Sequence, residues 1–165
     1  MCNFFSCLVK KNGDILWDPD LDSHEDLVAL FELKDTNQFR PSFARAEFVP
    51  PEDHKLIGNV KKWVLGVDES VKPDWFDDDV IREKLETLVS GFIVKKNRKL
   101  LTGGPWILVG KTKVDKAINA RIVAMYDTSQ VGTMYGTSQV GAMWNTSRII
   151  QNNSTKNVVN DVSKK

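Results

Sequence analysis

The sequence predicts an α+β domain, a small antiparallel sheet with two helices, followed by a short C-terminal β-solenoid-like repeat. Three observations point there. Residues 1–98 switch between period-two and helical apolar spacing, residues 124–159 repeat a phrase of nine, and the charge changes sign between these parts. The organisation that follows is an α+β domain at 1–98, a junction with degenerate first repeats at 99–123, nonapeptide repeats at 124–159 and a polar tail at 160–165.

The elements of the first part can be justified in order. Two apolar stretches flank Asn12-Gly13, a pair that readily adopts the positive φ angles of a tight hairpin turn. In DSHEDLVALFEL, Ser23 is placed to cap a helix that carries Leu27, Leu30 and Phe31 on one side. FARAEFV alternates, with Ala44, Ala46 and Phe48 on one face and Arg45 and Glu47 on the other, and Pro50-Pro51 stops it. Trp63, Leu65 and Val67 share a face in the same manner. After Pro73, Ile81, Leu85, Leu88 and Phe92 fall at helical spacing. Asp77, Asp78 and Asp79 lie at the positive end of that helix and Lys95 and Lys96 at its negative end. KKNRKLLTGGPW, basic and then turn-rich, reads as a junction.

Written in nines from Ala124, the last third reads AMYDTSQVG, TMYGTSQVG, AMWNTSRII, QNNSTKNVV. Thr128, Thr137, Thr146 and Thr155 share the fifth position, and Val131, Val140, Ile149 and Val158 the eighth. Thr, Gly and Val are poor helix formers, which argues against a helix. A flat strand fails as well, because Val131 and Met134 are an odd number apart and would face opposite ways. A chain that turns a corner at the intervening Gly-Thr can point both inward, and short segments joined by corners are the parts of a β-solenoid. Nine residues per coil and a pair of nines both satisfy this pattern. The Thr column stands alone, without the flat Thr-x-Thr face of ice-binding solenoids. With Met inside, the following Tyr126, Tyr135 and Trp144 are expected outside, as an aromatic stripe and candidate binding surface; packing of these rings on the first domain is the alternative.

The overall charge of +1 hides an asymmetry. Residues 1–94 carry 11 Lys/Arg against 19 Asp/Glu, or −8, and residues 95–165 carry 12 against 3, or +9. Such halves dock on each other, within or between chains, or the basic half takes an anionic partner. Lys95, Lys96, Arg98 and Lys99 are the candidate anion-binding residues, with solvated side chains at a helix end as the simpler reading. No leader and no membrane span are read from the sequence, so a cytoplasmic location is expected.

The MCN start, DSHEDLV and WVLGVDESVKPDWF, followed by a tandem short repeat, resemble a group of small proteins of phages, prophages and bacteria. In that group a compact N-terminal domain precedes a pentapeptide-like or related β-solenoid array. The resemblance implies a phage or mobile-element origin and interaction with a host component, such as a defence protein. It implies no activity and gives no residue a role; the period of nine departs from the strict pentapeptide repeat.

No reaction is identified by a motif. A Cys2 exposed by removal of Met1 would have the logic of an N-terminal-nucleophile cysteine hydrolase, although a structural cysteine is the preferred reading. The spacing of Cys2 and Cys7 argues against a disulfide between them. Asp18, Asp20, Asp22 and His24 imitate a calcium loop, but Ser23 and Ala29 stand where it needs Gly and Glu. His24 and His54 read as exposed residues, too few for a metal site. GNVKKW and LTGGPW do not fit a phosphate-binding loop. The expectation is therefore a non-enzymatic interaction and assembly protein without metal or cofactor, forming homo-oligomers or binding a host protein through its repeats. The Cys2 hydrolase and an anion- or nucleotide-binding protein using the basic half are the alternatives.

Overall fold

The computed structural model describes residues 5–34, 41–68, 72–156 and 160–161. The chain forms two compact units, Met1–Leu88 and Val89–Lys165. In the first, β1 (Ser6–Lys10) and β2 (Ile15–Leu16) form a hairpin, followed by α1 (His24–Leu30), β3 (Phe43–Val49), two 3-10 turns, β4 (Val64–Val67) and α2 (Asp78–Ser90). The four strands make an antiparallel sheet in the order β2-β1-β3-β4.

The expected alternation of β3 is present: Ala44, Ala46 and Phe48 are fully buried, while Arg45 and Glu47 are half-buried. Phe48 packs against Trp63 with ring centroids 5.4 Å apart, and the Trp63 indole N–H donates to the Ile57 carbonyl. Ser23 caps α1 by accepting from the Asp26 N–H, and Leu27 enters a core with Leu8 and Phe43. Leu30, expected on the same apolar side, is half exposed. The Asp77 carboxylate accepts from the Asp79 and Val80 N–H groups at the start of α2, which buries Ile81 and Leu85.

Two local expectations are corrected. At the hairpin only Gly13 takes a positive φ, +80°, because the Asn12 side chain accepts from the Asp14 N–H and the loop closes wider, through Lys10 N–H to the Asp14 carbonyl. Helix α2 ends at Ser90 with no basic residue in its last turn, so Lys95 and Lys96 lie beyond it, after β5 (Ile93–Val94), and Phe92 is outside the helix.

The second unit is a parallel β-solenoid of about four turns. After β5 come β6 (Arg98–Leu108), β7 (Lys113–Met125), β8 (Gln130–Gly136), β9 (Gln139–Met143), β10 (Arg148–Ser154) and β11 (Asn160–Asp161). Every pairing is parallel: β5 with β6, β6 with β7, β7 with both β8 and β9, β8 with β10, and β9 with β11. Residues 99–123, read from sequence as a junction with degenerate repeats, hold β6 and β7, the longest strands. Their phrase has drifted, yet Leu101, Val114, Ala117, Ile122 and Met125 still fill the interior.

The register settles the coil length. Gln130 pairs with Arg148 and Arg121 with Gln139, each eighteen residues on, so one coil takes two nines. The first two nines each send three residues inward, Met125, Ser129 and Val131 and then Met134, Ser138 and Val140, all with at most 1% exposure. Val131 and Met134 both point inward as the corner argument requires, the bend falling inside β8 at Gly132-Thr133. There the coils touch. A Cβ on Gly132 would lie 2.6 Å from the Asp115 carbonyl oxygen, and one on Gly141 the same distance from that of Val123.

The remaining corners use the fourth position of the nine. Asp127, Gly136 and Asn145 have φ of 57°, 61° and 60°, a left-handed conformation that suits Gly, Asn and Asp. The next residue ties neighbouring coils together: Thr146 N–H donates to the Asp127 carbonyl at 3.0 Å and Thr155 N–H to that of Gly136 at 2.8 Å. The Thr hydroxyls donate to the same carbonyls, Thr146 at 3.3 Å and Thr155 at 3.1 Å, which accounts for Thr in this column. Val158, its aliphatic companion in the fourth nine, lies outside the described residues.

Candidate functional site

The aromatic residues of the repeat stand immediately before the left-handed corners. Because a coil takes eighteen residues, successive nines occupy opposite corners, and the single stripe expected from Tyr126, Tyr135 and Trp144 divides in two. Tyr126 and Trp144, one coil apart, stack with centroids 6.3 Å apart and planes 7° from parallel. Tyr135 lies half a coil away, beside Ile118 of β7, and is 38% exposed.

Backbone bonds set the spacing of the stacked pair. Tyr126 N–H donates to the Leu108 carbonyl and Trp144 N–H to the Met125 carbonyl, so each ring leaves its rung at an equivalent point. A turn then closes behind each ring, Ser129 N–H to the Tyr126 carbonyl and Ser147 N–H to that of Trp144. Both rings are half-buried, and desolvation pushes the Tyr126 phenol up to about 12. The corner offers two parallel ring faces, a neutral hydroxyl and exposed Thr128 and Thr146. Its chemistry is apolar contact with a polar rim.

Lys95, Lys96, Arg98 and Lys99 are all exposed. Arg98 pairs with Val114 and Leu100 with Lys116, which places this basic run beside the outward side of β7. Sequence reading missed the cations it adjoins, Lys113, Lys116 and Arg148. A spacing of 17 or 18 residues aligns them, and that alignment becomes visible only when the coil length is known.

The chemical alternatives fare differently. Cys2 lies outside the described residues, and Cys7 is a free, fully buried thiol pushed up to about 12 by desolvation. His24, read as exposed, is instead 1% exposed: its Nε2 lies 3.2 Å from the Ala46 carbonyl and its Nδ1 3.4 Å from the Asp68 carboxylate. These bonds draw the ring inward at the first residue of α1. His54 is half-buried. Among the described residues no group of three or more His, Cys, Asp or Glu converges as metal ligands would. LTGGPW lies inside β6, where the register with β7 shifts. A surface groove lined by Leu65, Val67, Lys72, Asp78, Asp79 and Arg82 contains the Lys72–Asp78 ion pair. No helix among the described residues is long and apolar enough to cross a membrane.

No protein-family model, curated protein or solved structure matches the chain.

Proposed function

We propose that this is a non-enzymatic interaction and assembly protein that self-associates through the Tyr126–Trp144 corner of its solenoid, or holds a host protein there. The stack carries the reading: two rings fixed 6.3 Å apart and nearly parallel form a preorganised apolar surface that loses little side-chain freedom on binding. Behind them Thr146 and Ser147 bond to the preceding coil, through the Asp127 and Met125 carbonyls. Phage or mobile-element origin, a defence component as the host protein and a cytoplasmic site of action extend this proposal on the strength of the sequence resemblance.

Sedimentation velocity of the full chain over a hundredfold concentration range, beside Trp144→Ala, tests it. Association that weakens in the variant is the expected result. A chain that stays monomeric throughout, or associates equally well without Trp144, would remove the proposal's support.

A further inference from the structure

We propose that the outward surface around the Gly132-Thr133 corner, which bears Lys113, Lys116, Tyr135 and Arg148, binds single-stranded nucleic acid. This surface is half a coil away from the Tyr126–Trp144 corner and does not depend on it.

The register assembles this surface from residues far apart in sequence, with the Lys113 column before the bend at Gly132-Thr133 and the Tyr135 column after it. Lys113, Gln130 and Arg148 form one column across three rungs; Lys116, Thr133 and Gln151 form the next; Ile118, Tyr135 and Asn153 form the third. Rungs lie about 4.8 Å apart, so Lys113 and Arg148 are separated by about 10 Å along the stack. Lys113, Lys116, Arg148, Tyr135, Gln151 and Asn153 are all exposed. Among the described residues none of the three cations is in an ion pair. Asp115 is an exposed acid on this surface.

The mixture of groups favours a nucleic acid over an acidic protein surface. Carboxylates would be satisfied by the cations alone. Phosphates take the cations, an unpaired base stacks on an exposed ring, and base edges bond to side-chain amides. Tyr135 supplies the ring and Gln151 and Asn153 the amides, on the same surface as Lys116. A duplex keeps its bases stacked and offers that ring nothing, so the strand is single.

The test is fluorescence anisotropy of a labelled mixed-sequence single-stranded 20-mer, as DNA and as RNA, titrated with the full chain across a series of salt concentrations. Affinity should fall steeply with salt. Lys113→Gln/Lys116→Gln should flatten the slope of log K against log salt by about 1.4, two contacts at roughly 0.7 each. Tyr135→Ala should weaken binding about tenfold with the slope unchanged. Lys61→Gln/Lys62→Gln, exposed in the first unit, should have no effect. Circular dichroism establishes that each variant is folded, and the glutamine pair keeps side-chain length. No binding at low salt, or binding indifferent to the Lys113/Lys116 pair, overturns the proposal. Equal affinity for polyglutamate with Tyr135→Ala silent also overturns it, in favour of an acidic protein surface.

Discussion

Ser138 lies twenty-one residues after Ala117 in the chain, with its hydroxyl 3.0 Å from the Ala117 carbonyl and accepting the Ala120 N–H at 3.1 Å. It joins two coils from inside the solenoid. Thr112 and Ser147 do the same, reaching the carbonyls of Val94 and Met125. Ser129 occupies the equivalent position and is equally buried, yet its hydroxyl has no hydrogen-bond partner among the described residues.

One position of the repeat should therefore give two opposite mutational results. Ser138→Ala leaves buried backbone groups without their partner and should cost about 1–3 kcal/mol. Ser129→Ala removes a hydroxyl that burial penalises, and should be neutral or stabilise by up to about 1 kcal/mol. Urea unfolding of both variants checks this; equal losses at the two sites would contradict the assignment.

Glycines in the solenoid should divide in the same way. Gly132→Ala drives a Cβ into the Asp115 carbonyl oxygen of the neighbouring rung, a backbone atom that cannot swing aside, at a cost of about 1–3 kcal/mol. Gly110 has φ of +67° with open space around its missing Cβ, and Asp127 and Asn145 already serve at the equivalent corner. Gly110→Asn should hold stability within about 0.5 kcal/mol of the parent. Thermal midpoints measured side by side decide the point.

These contrasts mark what the sequence discloses. The nine-residue phrase announces stacked segments because Val131 and Met134 cannot both be buried in a flat strand, and both are buried. The alternation of Ala44, Ala46 and Phe48 is equally plain, since a strand buried on one face writes its period directly. Coil length is different in kind. A phrase of nine is compatible with a coil of nine or eighteen, and inter-rung hydrogen bonds choose between them. The choice decides which rings meet: Tyr126 reaches Trp144, and Tyr135 faces elsewhere. His24 was illegible for a similar reason, because the Ala46 carbonyl that accepts it is twenty-two residues distant.

Cys7 should behave as an inert thiol. Full burial pushes it up to about 12, so at pH 8 almost none is thiolate, the species that attacks a disulfide reagent. In a Cys2→Ser background, Ellman's reagent should find no reactive thiol in the folded chain and one per chain in urea. Prompt labelling under native conditions would mean that the interior of the first unit opens readily.

Tyr126 should give the chain a late alkaline transition. Its phenol stays protonated to about 12 in the folded state because half-burial against Trp144 disfavours the phenolate, whereas an unfolded tyrosine loses its proton near 10. Below pH 10 both states hold the proton and the group contributes no pH dependence. Between about 10 and about 12 the unfolded chain loses it first, so stability falls as pH rises through that window. Absorbance at 295 nm should show a phase near pH 12 that is absent from Tyr126→Phe, and the denaturant midpoint of the variant should decline less over the same interval. Trp144→Ala strips away part of the ring's cover and should move the late phase toward 10. If it stays where it was, the desolvation comes from elsewhere than the stack.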